Sequence, residues 1–241
     1  MQRRFVIPIV VAAALAVIGA GAAYAYFFSS LRSAPSALTL SSPSPVQSAA
    51  PGASPVPSPL SSPGGTWQVA AGSLAGYRVS EQFVGQTAAH EAVARTAAVT
   101  GQLAVGAATL DSTTITVQLA GLQSTDTVAG YNVSNRDRIV TRTLDVSQFP
   151  AAAFTAGGVV LPAGYDSGQP VTLSLPGRLT IHGVTRSVVA NVQVRVSGSS
   201  GQAAGSIAIQ MTDYGLTPPS IGFTTVQPAV TIEFQLNLVR S

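Results

Sequence analysis

By side-chain type, His182 is the residue best suited to acid–base chemistry in this chain. It sits in the run Leu179-Thr180-Ile181-His182-Gly183-Val184-Thr185-Arg186. Strand parity, however, places it with Thr180 and Arg178, away from the apolar row of Leu179 and Ile181, so it reads as a turn histidine rather than a general base. The other histidine, His90, precedes Glu91 in the loop-like segment HEAVAR, and both read as surface residues. Two histidines cannot make a His-rich metal site, and no spacing marks out a two-His, one-carboxylate site. There is no cysteine and no lysine, which excludes thiol nucleophiles, thiolate metal sites, disulfides, Schiff bases and the phosphate-binding lysine of nucleotide loops. No Gly-x-Ser-x-Gly elbow occurs and the nine carboxylates are scattered, so the chain reads as a non-enzyme without a cofactor. The remaining cluster is Arg136, Asp137, Arg138 and Arg142. Its arginines could hold an anionic headgroup, since guanidinium pairs well with phosphate oxygens; alternatively Asp137 pairs an arginine and anchors a helix.

The elements that must position these groups follow period two. Val171, Leu173, Leu175, Leu179 and Ile181 alternate with polar residues before His182-Gly183, and Val188, Val192, Val194 and Val196 do so after it. Ile115, Val117 and Leu119 share one face of a run over 113–120, and Ile207, Ile209 and Met211 share one face of a run over 205–211. Val230, Ile232, Phe234, Leu236 and Leu238 close the chain. With runs over 67–83, 96–105 and 151–161, about eight strands succeed one another through short loops, which favours an antiparallel barrel or sandwich. Residues 131–146 break the alternation. Val133, Arg136, Ile139, Val140 and Thr143 stand at helical spacing there, and Ser134 or Asn135 could cap a short helix plugging one barrel end. Whether the dry face encloses a packed core or a lined cavity is left open by alternation alone.

The first quarter of the chain is different. Residues 5–28 form an uncharged apolar run behind Arg3 and Arg4, long enough as a helix at about 1.5 Å per residue to cross roughly 30 Å of hydrocarbon. The paired arginines favour a cytoplasmic tail over residues 1–4 and an extracytoplasmic remainder. The reading taken is an uncleaved single-pass anchor in the cell membrane. Its rival is a signal peptide cut after Ala25, where Ala23-Tyr24-Ala25 supplies a small-x-small site and the product would be secreted. Residues 29–65 are rich in Pro, Ser and Ala and read as a disordered linker reaching on the order of 100 Å at about 3.1 Å per residue. From residue 66 onward the remaining arginines balance the nine carboxylates, so the pI of 9.7 does not point to nucleic acid.

Four ordered pieces in residues 66–241 resemble the YceI-like family: the opening Thr66-Trp67-Gln68-Val69 with Ser73, the run Asn135-Arg136-Asp137-Arg138 followed by Phe149-Pro150 and Phe154, the Leu179–Arg186 run, and Asp213-Tyr214-Gly215-Leu216. The resemblance implies an all-β fold, an eight-stranded antiparallel lipocalin-like barrel with one short helix. It also implies a lumen that holds a polyisoprenoid or other long-chain lipid as a non-catalytic carrier or reservoir in a bacterial envelope. On that reading Phe83, Ile115, Val117, Leu119, Phe149, Phe154, Leu173, Val192, Val194, Ile207 and Phe234 contact the ligand, with Arg138 and Arg142 at the mouth. The alternatives are an envelope stress or structural protein with a packed barrel, or a hydrolase using His182.

Overall fold

Sequential antiparallel pairing closes a ring. The computed structural model describes residues 17–22, 32–42, 64–84, 89–128, 132–222 and 224–241. The wall begins with β1 (Gly65–Phe83), a 19-residue strand. Next to it lie β2 (His90–Thr96) and β3 (Val99–Val105), end to end as two halves of one wall position: β2 pairs with residues 75–81 of β1, β3 with residues 65–68. The ring continues through β4 (Thr109–Gln118), β5 (Ala151–Ala156), β6 (Val171–Ile181), β7 (Val184–Ser197), β8 (Ser200–Gln210) and β9 (Thr224–Arg240), and β9 pairs back onto β1. The result is a closed eight-stranded antiparallel barrel.

The alternation in the sequence becomes inside and outside. In β6 and β7 the residues Leu175, Leu179, Ile181, Ala190, Val192 and Val196 are buried, while Thr172, Ser174, Arg178, Asn191 and Gln193 are exposed. β6 is paired over its full length with residues 184–194 of β7, from Val171 against Val194 to Ile181 against Val184. The turn between them needs left-handed backbone at both central positions. His182 has φ 52° and Gly183 φ 72°, the two-residue type I′ geometry whose twist matches that of the flanking strands. β1 bends where Ser73 fills an irregularity: its Oγ donates to the Ala70 carbonyl at 2.7 Å and accepts the Asn237 N–H at 2.9 Å.

The helix α1 (Ser134–Thr143) crosses one end of the barrel. Its cap differs from expectation. Neither Ser134 nor Asn135 caps it; Asn132 Oδ1 accepts the Ser134 N–H at 3.1 Å and the Ser134 hydroxyl at 2.5 Å. His90 and its segment also differ: HEAVAR is strand, and His90 is buried at 4% exposure, because Ala92 and Ala94 share its buried phase without the bulk that would announce it. Most of the apolar run over 5–28 lies outside the described residues, and among the described residues no helix is long and apolar enough to cross a membrane. Part of the stretch expected to be a linker lies on the barrel: Arg32–Ser33 pair antiparallel with Thr127–Val128, and residues up to Ser41 hydrogen-bond to the wall.

Candidate ligand cavity

The inward side chains do not fill the barrel. A cavity of about 290 Å³ runs along its axis, at the lower edge of the roughly 300–1,000 Å³ common for ligand sites. At the end where β1 starts it is closed by Trp67 and by the 157–170 connection, which contributes Leu161 and Tyr165. At the other end it is capped by Ile139, Val140, Thr143 and Leu144 of α1 and its C-cap, and by Leu216, Pro219 and Ile221. Small residues widen the middle, with Ala75, Ala152, Ala190 and Ala203 among the lining.

The sequence-derived positions divide cleanly. Ile115, Val117, Leu119, Phe154, Leu173, Val192, Val194, Ile207 and Phe234 line the cavity. Four do not. Phe83 is buried beside His90, with ring centroids 6.3 Å apart, and Phe149 packs edge-on against His182 at 4.7 Å. Arg138 and Arg142 are exposed on the face of α1 opposite Ile139 and Val140, and Arg138 hydrogen-bonds Asn135. Arg138 and Arg142 occupy the outward phase of α1 and Phe149 is held in the turn contact with His182, whereas Phe83 shares the strand phase of Tyr77, Val79 and Glu81 but lies beyond them at the tip of β1, beside His90.

The arginine that does reach the cavity is Arg136, one residue out of register with Asp137 and in register with Ile139, Val140 and Thr143. It is 5% exposed and saturated. Nε and Nη2 donate to the two oxygens of Glu81, both at 2.9 Å, and Nη1 donates to Asp126 at 2.7 and 2.9 Å. Asp126 also accepts the Val93 N–H at 3.1 Å and meets His90 Nε2 at 2.7 Å. Burial alone would raise the Asp126 carboxyl; the His90 hydrogen bond, the Arg136 charge and the Val93 N–H outweigh it and hold the group below the usual carboxylate range. For Arg136 burial works toward deprotonation, but Glu81 and Asp126 hold the guanidinium charged more firmly still. Asp137 makes a separate tie, accepting the Ser124 N–H at 2.9 Å and its hydroxyl at 2.7 Å.

Near this cluster the cavity wall turns polar. Tyr77 and Thr224 line it, and among the described residues neither hydroxyl has a hydrogen-bond partner; burial pushes the Tyr77 phenol well above its ordinary range. Among the described residues no three metal-ligating side chains converge.

The motif residues gather at the same end. Phe149 seats against His182, and Arg186 Nε donates to the Asp213 carbonyl at 2.8 Å, just before the tight turn at Gly215, φ 70°. A model of the YceI-like domain matches residues 71–238. The chain belongs to the YceI-like family. Among solved structures, the YceI-like barrel resembles a polyisoprenoid binding domain from Saccharophagus degradans implicated in plant cell wall breakdown. That match has 14% identity and a TM-score of 0.56, covering 73% of this chain and 98% of that one. BcnA of Burkholderia cenocepacia matches at 20% identity and a TM-score of 0.46, over 67% and 95% of the two chains. A Campylobacter jejuni YceI protein matches at 15% identity and 0.35, over 65% and 83%. Comparison with curated proteins gives no match. At 14% identity the likeness to the Saccharophagus degradans domain is one of fold.

Proposed function

We propose that this YceI-like protein is an exported, membrane-anchored barrel that holds one long apolar chain, an isoprenoid or similar lipid, as a non-catalytic carrier or reservoir in a bacterial envelope. The observation that carries the reading is the lumen: a closed barrel around an apolar cavity that runs from Trp67 to α1 and is capped at both ends. A packed structural barrel would leave no such space. An alkyl or isoprenoid chain gains about 0.8 kcal/mol per buried methylene there, with no specific polar contact required. The solved domain from Saccharophagus degradans, described as polyisoprenoid binding, has the same fold.

The polar end favours an uncharged head. Arg136 is matched by two carboxylates, and Arg138 and Arg142 lie outside the lumen, so a phosphate drawn inside would meet Glu81 and Asp126 as well as Arg136. A hydroxyl or carbonyl head avoids that repulsion. His182 packs on Phe149 in the turn, away from the residues that line the cavity, which supports the binding reading over a hydrolase using His182.

Native mass spectrometry of the purified full chain, followed by organic extraction, tests the reading. A co-purifying neutral long-chain lipid in about one-to-one ratio is expected. A protein that carries no lipid and takes up neither polyprenol nor fatty alcohol would overturn it.

A further inference from the structure

Residues 32–42 carry information that their Ser-rich composition hides. They run as an extended strap down the outside of the barrel. The Arg32–Ser33 pair lies beside Thr127–Val128, immediately after Asp126, which holds α1 through Arg136. The Pro35 carbonyl then accepts from Arg78 Nη2 and the Ser36 carbonyl from Arg95 Nη2, each at 2.5 Å. Leu38 N–H donates to Glu233 at 3.3 Å, and at Ser41 the carbonyl accepts from Arg195 at 2.6 Å and the hydroxyl from Gln235 at 2.8 Å. In register terms the partners descend from Arg78 toward Gln202 and Asn237, that is, from the α1 end toward the end where β1 begins.

Glu233 shows that this is a built contact. It alternates with the lumen residues Ile232 and Phe234 and therefore points outward, yet it is 2% exposed. Arg78 and Arg95 pair with it at 2.6 and 2.7 Å, and the strap crosses over all three. An outward carboxylate desolvated to that degree is held in place by its two guanidiniums and by the covering chain.

The direction of the strap then matters. Only residues 29–31 separate the apolar run over 5–28 from docked Arg32, a reach of about 10 Å at roughly 3.4 Å per residue. The end of the barrel nearest Arg32 is the α1 end. There α1 turns Ile139 and Val140 to the lumen and Arg138 and Arg142 outward, and Val84 at the tip of β1 is 73% exposed. We propose that the α1-capped end is a membrane-docking face, held against an anionic bilayer surface by the strap, so that the capped mouth of the lumen sits next to its lipid source. The outward arginines supply charge complementarity to anionic headgroups, and Val84 supplies an apolar contact. The proposal rests on the reading of residues 5–28 as a bilayer-spanning anchor.

The chain has no cysteine, so single-cysteine variants label cleanly. Full-length Val84→Cys and Ser199→Cys, each carrying a donor dye, are reconstituted into phosphatidylglycerol/phosphatidylcholine vesicles with an acceptor on the lipid headgroups. Val84 and Ser199 are exposed, at opposite ends of the barrel. The expected result is vesicle flotation, loss of donor emission at Val84, and retained emission at Ser199. Replacing Arg138 and Arg142 with Gln should lessen the loss at Val84. Flotation with both emissions retained, or with the greater loss at Ser199, would overturn the docking face and leave the anchor standing. Failure to float would overturn the anchor itself and the docking face with it.

Discussion

Arg136 and Glu81 meet as a parallel fork, Nε to Oε1 and Nη2 to Oε2, both at 2.9 Å, at a point where neither side chain is more than 6% exposed. The pair ties α1 to the end of β1, and Asp126 on the far side of the guanidinium ties it to the segment between β4 and α1. The cap of the barrel is thus fastened by charge, whereas the lumen wall beside it is held by apolar packing. Burying such a cluster gains little net energy, but removing one member is expensive because the others are left uncompensated.

Arg136→Met should therefore cost about 3–5 kcal/mol, since Glu81 and Asp126 then share a buried site without a cation. Urea unfolding followed by circular dichroism measures it. Adding Glu81→Gln and Asp126→Asn to that variant should recover much of the loss. A triple variant no more stable than Arg136→Met would show that charge is not the cause.

Acid should loosen the same cap. The folded Asp126 carboxyl lies below its unfolded value of about 3.9, so its contribution is fully present above that pH and is lost as pH falls through the folded value. Stability is expected to decline below about pH 4, and to decline less steeply in Asp126→Asn, which has no proton to gain. Thermal unfolding of both proteins between pH 2 and 7 supplies the comparison, and parallel curves would refute the assignment.

Much of the barrel was legible because period two survives in the strands that carry large apolar side chains: Leu173, Leu175 and Leu179 of β6 face inward as their alternation requires. The lumen itself was not legible, because a filled and an unfilled barrel need the same alternation. For the arginines the signal is present in the helical spacing. Arg136 shares the helical phase of Ile139, Val140 and Thr143, so it is the guanidinium brought to the lumen, whereas Arg138 and Arg142 occupy the solvent phase. His90 was hidden for a different reason, since its partner Asp126 is 36 residues away and its strand neighbours are alanines. The strap had no readable signal at all: several of its contacts use backbone carbonyls and N–H groups, which every sequence has.

Filling the lumen should block uptake without unfolding the barrel. Ala203 lies on β8 between Val194 and Leu236 and lines the cavity, so Ala203→Phe places an aromatic ring in open space. Overpacking of a full core costs about 1–3 kcal/mol, and the cavity should absorb part of that. Lipid recovered per mole of protein is expected to fall sharply while the unfolding midpoint moves little. Arg138→Gln with Arg142→Gln, outside the lumen, should leave recovery from detergent-solubilised lipid unchanged. Equal recovery from the Ala203→Phe protein would place the ligand elsewhere.

The His182-Gly183 turn offers the last separation of structure from chemistry. With φ 52°, His182 occupies backbone that asparagine and glycine accept and a β-branched residue resists, at about 1–2 kcal/mol. A side chain at Gly183 would be worse: its Cβ would come within 2.7 Å of the Phe149 ring. His182→Asn should fold and retain lipid, His182→Val should lose stability by roughly the backbone cost, and Gly183→Ala should lose more than either, because Phe149 must shift as well. Urea midpoints and lipid recovery on the three variants are the measurements. If His182→Asn keeps its stability yet loses lipid, the histidine touches the ligand and its role as a turn residue is insufficient.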